Sequence, residues 1–448
     1  MDRRQFLRLA GGTTLLTAAG VGCGSGPDEK ERDPGAAEGR GRRTLRIAQS
    51  AHFVPAFDIW FDDYARRWGE EHDVVVEVDH VRITDLLTQA DAQAAAQRGH
   101  DMSAFHSAGA AVFEDEVIDL RDIVTDLESK VGRLIPAVER NIRNHRTGKY
   151  FAFSDCWAAQ LTNYRIDLWK AIDAVPDTWD DVLRAAPRLK ATGTPLGVGL
   201  SPGLDSGHHA FGLLAAYGAS VQDEEGNVVL NRPGTIDAVK TATEVFRKGM
   251  TEEVFTWDDA AADNRFLASG KGSFILDPLG TLRGIELQEP QLAETIGLRP
   301  PPAGSAGRLF PHSVHTYVIW KFSQNQELAK QFLVDLTLGY KDAVLQSQFY
   351  NLPSFPGSVT DLPALLAADP TAKPVGKYGI LAEAATWSVN IGHPGDTNAA
   401  VTEVFNQFLV ANMFVAAARG EMTAEASVAA AEAQIKAIFE KWRGRGKI

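Results

Sequence analysis

The chain has 448 residues, 44% of them hydrophobic and 23% charged, proportions that suit one or two buried cores and exclude a disordered or fibrous protein. A formal net charge of −13 excludes a nucleic-acid partner, whose phosphates would repel it. With only two cysteines, a disulfide framework and a cysteine-built metal site are excluded as well.

The first element in chain order is a leader. "RRQFLR", residues 3–8, resembles the twin-arginine export motif with Arg3 and Arg4 as its pair, and a weakly apolar run broken by glycines follows. "GVGC" resembles a lipoprotein cleavage box, which makes Cys23 the lipidated N-terminus. Residues 1–22 are therefore expected to be an export signal peptide. Residues 23–43 have almost no aliphatic or aromatic side chain to bury against the entropy of ordering, and are expected to be a flexible lipid-anchored tether.

The globular pattern begins at residue 44. "TLRIAQ" reads as a strand, and the helical spacing of Phe57, Trp60, Phe61, Tyr64 and Trp68 as a helix behind it. "VVVEVDHV" is a second strand, "TDLLTQADAQAAAQR" a helix capped by Thr84, and "HDMSAFHSAG" a third strand ending in a loop of small residues. Strand, helix, strand, helix, strand predicts a parallel sheet covered by helices.

An extended aromatic run, "KYFAFSD", interrupts this pattern at residues 149–155. A second α/β unit then starts with a helix at "TWDDVLRAAPRLKAT" and a strand at "LGVGL". "DEEGNVV" has the chemistry of a hairpin turn, and Pro233 opens a helix whose stripe is Ile236, Val239, Thr243 and Phe246. "HTYVIWKF" is a later strand, followed by a helix burying Leu328, Phe332 and Leu336. The C-terminal helix carries a packing face of Val428, Ala431, Ile435, Ile438, Phe439 and Trp442.

Five stretches, "TGTPLGVGL", "GNVVLNRPGTIDAVKTATEVFRKG", "FLASGKGSFILD", "NQELAKQFLVDL" and "ARGEMTAEASVAAAEAQI", resemble the sugar-type extracellular solute-binding proteins of bacterial ABC transporters, the maltose-binding-like group. They fall in that family's order between residues 44 and 439. The resemblance implies an α/β, two-lobed periplasmic-binding-protein-like fold with a hinge and an interlobe ligand cleft. The first lobe is expected at residues 44–153 plus 315–345 and the second at 154–314 plus 346–448, with hinge crossings near Phe153 and Ser313. The implied function is an extracytoplasmic receptor, tethered to the cell membrane and monomeric, that captures a mono- or oligosaccharide and hands it to ABC permease transmembrane subunits. No cofactor and no metal is expected.

Sugars present hydroxyl edges, which carboxylates, amides and fixed donors recognise, and apolar ring faces, which aromatic rings cover. In open α/β sheets such groups sit in loops at the carboxyl ends of strands. The first and third strands end at Ser50, His52, His106 and Ser107. Asp205, Ser206 and His208 stand at a helix start after "LGVGL", and Trp257, Asn264 and Asp277 follow. The resemblance adds Asp155 and Trp157 at the hinge, and Trp387 and Asn390 late in the chain. Two or more of Trp157, Trp257 and Trp387 are expected to touch ligand.

An enzyme is not expected. Adjacent carboxylates such as Asp180 and Asp181 point different ways on a helix and cannot flank one bond, and no G-x-S-x-G elbow occurs. "HSVH", residues 312–315, splits its two rings to opposite faces of an extended segment. Cys156 reads as a small buried filler rather than a nucleophile. The same fold with another solute, a polyamine or a phosphate ester, is the rival reading, and Asp155, Asp205 and Asp277 would suit a polyamine. A secreted hydrolase is the remaining one.

Overall fold

The computed structural model describes residues 42–448 apart from 108, 258 and 260. The expected export signal with Arg3 and Arg4, and the expected anchor at Cys23, lie outside the described residues.

Three β-branched or apolar strands, Arg43–Ser50, Val74–Val81 and Met102–His106, pair in parallel as their helix-separated order demands. The strand Ser313–Ile319 joins antiparallel to Met102–His106, in a register that sets His315 opposite His106. Cys156–Ala158 and then Leu352–Pro353 extend the sheet, so six strands lie in one layer. These last two strands have three and two residues, too short to carry a period-2 signal, and they sit in the first sheet although the expected lobe boundaries placed them in the second.

The second lobe is built on four strands in the order Leu196–Gly197, Phe274–Asp277, Leu161–Arg165 and Ile296–Arg299. Leu161–Arg165 runs antiparallel to both neighbours, pairing Leu161 with Asp277. Only Ala159 and Gln160 separate the strand Cys156–Ala158 of one sheet from Leu161–Arg165 of the other. On the return, Phe310–Pro311, paired with Ser388–Val389 in a small sheet of its own, is joined to Ser313–Ile319 through His312 alone.

Local chemistry explains some helix ends. Thr178 and Asp181 form a capping box at the start of Trp179–Ala191, each side chain bonding the other's backbone N–H. Leu86–Ala96, in contrast, starts after Asp85 without a side-chain cap, and the Thr84 hydroxyl is spent on the Asp85 carboxylate. The strand read from "LGVGL" closes after two residues. A Cβ at Gly197 would lie 2.6 Å from the Phe266 ring, so the backbone hugs that ring and turns toward the helix Leu204–Ala216. The C-terminal helix Ala424–Gly444 buries all six residues of its predicted face.

Candidate functional site

The parallel strands of the first sheet end together, so Ser50 and His106 meet: Ser50 Oγ and His106 Nε2 are 2.8 Å apart. His52 lies just beyond. Its Nδ1 lies 2.9 Å from the Val54 N and 3.1 Å from the Val54 carbonyl oxygen, and its Nε2 lies 3.1 Å from Asn351 Oδ1. Burial holds the His52 pKa below the ordinary value, and drives that of His106 well below it with help from the neighbouring His315. Both rings are therefore neutral hydrogen-bonding groups at pH 7.

Asp155 stands one layer back. Its two oxygens bond His315 Nδ1 at 2.8 Å and the Tyr340 hydroxyl at 3.0 Å, and the residue is 1% exposed. It positions the His315 ring instead of reaching the cleft. Burial, reinforced by Asp155, pushes the Cys156 thiol well up, so that it stays protonated and is a poor nucleophile.

On the second lobe, the helix Leu204–Ala216 places Asp205 and His208 three residues apart on one side of its first turn. His208 Nε2 meets Ser107 Oγ of the first lobe at 2.9 Å, a bond that bridges the two lobes. The His208 ring, backed by Phe405 at 5.1 Å, is fully enclosed, and burial takes its pKa down to about 3. Asp277 ends its strand and accepts the Thr281 hydroxyl. One carboxylate oxygen from each of Asp205, Asp263 and Asp277 lies within 4.8 Å of the other two. Burial raises the pKa of all three, and their mutual repulsion adds to this at Asp205 and Asp277.

Two adjoining cavities lie at this place, the first lined from the first lobe and the second from both lobes. The first, about 10 Å³, is lined by Ser50, His52, His106, Trp157 and Asn351 among others. The second, about 20 Å³, is lined by His106, Ser107, Asp205, His208 and Asp277, and Tyr350 borders both. Each has room for about one water molecule, whereas an organic ligand asks for roughly 300 Å³ or more. This is a closed arrangement, and a ligand enters only when the lobes part.

Not every residue singled out in the sequence faces this space. Trp157 lines it, with Nε1 donating to the Pro353 carbonyl at 3.3 Å. Trp257 instead packs on Phe266, ring centres 5.3 Å apart, and Trp387 is 2% exposed with Nε1 on the Gln160 carbonyl. Ser206 turns inward to Ser201, and the Asn390 amide is spent on Gly395 and Thr397 within its own loop. Asn264 comes to the aspartate group, its amide meeting Asp263, Asp277 and Thr281.

Asp263, His315, Tyr350 and Asn351 were not anticipated. For His315 a signal existed, because Ser313 and His315 are two apart on one strand and share its cleft face. Asp263 sits beside Asn264 in a stretch already singled out. Tyr350 and Asn351 carry no pattern of their own, since a loop and the two-residue strand Leu352–Pro353 deliver them.

Paired α/β lobes with two short crossings and a polar space between them define the solute-binding architecture. The chain belongs to the bacterial extracellular solute-binding protein family, whose model matches residues 55–337. No curated protein matches it. Solved structures with the same fold include a putative oligosaccharide periplasmic-binding protein from Synechococcus in complex with zinc, 20% identical with a TM-score of 0.76 over 89% of this chain and 99% of that one. An ABC transporter solute-binding protein from Agrobacterium radiobacter, in complex with ribitol, is 15% identical with a TM-score of 0.72, covering 88% and 98%. A sugar transporter protein from Arthrobacter chlorophenolicus with bound laminaribiose is 17% identical with a TM-score of 0.73, covering 88% and 99%.

Proposed function

We propose that this chain is the receptor of an ABC importer and captures a sugar or polyol between its lobes for delivery to the permease. The observation that carries the reading is the interlobe space itself. Neutral imidazoles, hydroxyls and amides from both lobes converge there, with Trp157 as a ring face, the set that hydroxyl edges and an apolar sugar face require. The ribitol and laminaribiose carried by proteins of the same fold support it. Of the residues expected from sequence, Ser50, His52, His106, Ser107, Trp157, Asp205, His208 and Asp277 belong to this site, and Asp155 serves it from behind.

Lobe boundaries near the two crossings, at Ala159–Gln160 and His312, complete the reading, with the lobes shutting over the solute into a loaded form, less tightly closed than the empty arrangement, that the permease meets. So do export by the Arg3–Arg4 leader, lipid anchoring through Cys23, and action as a monomer outside the cytoplasm. No catalytic role is assigned. A thermal-shift panel of sugars, polyols, polyamines and phosphate esters tests the ligand class, since a ligand at 100 times its Kd adds about 2.7 kcal/mol of stability. The reading expects a shift from at least one carbohydrate or polyol. A shift from a polyamine or phosphate ester alone would overturn it.

A further inference from the structure

We propose that Asp205, Asp263 and Asp277, with Thr281 and the Asn264 amide, form a site for a hard divalent cation of the calcium type on the second lobe's face of the cleft. The geometry is the first argument. One oxygen from each carboxylate lies within 4.8 Å of the others, so a point between them is no more than about 2.8 Å from all three, and a small inward shift brings each to the bond length of about 2.4 Å that calcium takes. The donors are oxygens only, which suits calcium, magnesium or manganese rather than zinc or copper. Magnesium's shorter bonds, about 2.1 Å, need a tighter cage.

Unspent polar atoms supply the second argument. Asp263 is 2% exposed, and its Oδ2 is buried without a hydrogen-bond partner. Gln160, 3% exposed, lines the same cavity as Asp205 and Asp277, and its Oε1 is also without a partner. Buried oxygens left in this condition cost about 1–3 kcal/mol each unless something binds them. The Asn264 amide touches Thr281 Oγ1 at 2.5 Å, Asp263 Oδ1 at 3.0 Å and Asp277 Oδ2 at 3.1 Å. Turned one way it donates its NH2 to these oxygens. Turned the other, it adds its own oxygen to theirs, the arrangement a cation requires.

Charge points the same way. The groups acting electrostatically on Asp205 are other aspartates, 263, 277 and 259. Arg265 acts on Asp263 but holds Asp259 in a two-pronged ion pair. Carboxylates, amide and hydroxyl together offer five ligands, and calcium takes six to eight. Asp205 and Asp277 line the cavity, so water or, on the sugar reading above, a pair of solute hydroxyls would complete the shell from there.

The test uses the exported chain stripped with EDTA and no carbohydrate present, so a failed sugar panel leaves its outcome untouched. CaCl2, MgCl2 and MnCl2 are titrated calorimetrically, and Tb3+ luminescence excited through tryptophan gives a second readout. One calcium per chain is expected, with Asp263→Asn and Asp277→Asn each weakening it tenfold or more. In EDTA both variants should melt at or above the parent's temperature, because each removes a repelling charge. No binding of any of the three metals overturns the proposal, as does calcium binding indifferent to both variants. So does spermidine binding at these aspartates that calcium fails to displace, which would assign the cluster to an organic ammonium.

Discussion

Ser107→Ala removes the hydroxyl that joins the lobes. In the closed arrangement Ser107 Oγ and His208 Nε2 are 2.9 Å apart, and His208 Nδ1 already has no partner. The variant therefore leaves both nitrogens of a 2% exposed ring unsatisfied when the lobes are shut, while water satisfies them when the lobes part. Such a group costs about 1–3 kcal/mol, and the cost falls on the closed state alone, shifting the closed-to-open ratio roughly 5- to 150-fold toward open. Distances between dyes at Ile59→Cys and Leu287→Cys report that ratio, because these side chains are 73% and 84% exposed on opposite lobes. Cys23 is replaced for this purpose, and Cys156 is buried away from labelling. The ligand-free parent should show a closed population that Ser107→Ala depletes. Identical distance distributions in parent and variant would refute the reasoning.

Gly280→Val should prop the lobes apart by another route, since a Cβ there lies 3.1 Å from the Tyr350 ring and 3.2 Å from Phe53 across the cleft; the same dye pair reads it. Trp387→Ala should lower stability by about 3–5 kcal/mol in urea unfolding, as a core tryptophan does, whereas Trp157→Phe should weaken solute binding in calorimetry with a smaller loss of stability. His312 has a folded pKa of about 4 because it is buried, below the 6.5 of the unfolded chain. As pH falls from 6.5 to 4 the unfolded chain takes up a proton that the folded chain refuses, so this residue lowers stability by about 1.4 kcal/mol per pH unit in that window. His312→Gln should flatten the urea-midpoint profile against pH by that one proton, and an unchanged slope would contradict the assignment.

Much of the architecture was legible because long elements advertise their period. The parallel order of the first three strands and the buried stripe from Val428 to Trp442 follow from apolar spacing alone. Ser50, His106 and Asp277 were reachable because strand ends collect functional groups. What escaped was delivered by short or irregular backbone: Asn351 before a two-residue strand, and Tyr350 in the loop before that. The tryptophans show a different limit. Trp157, Trp257 and Trp387 are chemically alike, and whether an indole lines a cavity or fills a core is decided by neighbours such as Phe266 and Gln160 that spacing does not identify. Likewise Asp205, Asp263 and Asp277 form no motif, and only the pairing of helix starts with a strand end brings them together.

The most direct measurement is a crystal structure with whichever solute the thermal-shift panel selects. The account predicts that solute between the His106 and His208 faces, with Ser107 and His208 drawn beyond hydrogen-bonding distance to admit it. A solute bound elsewhere, with the Ser107–His208 bond intact, would contradict it.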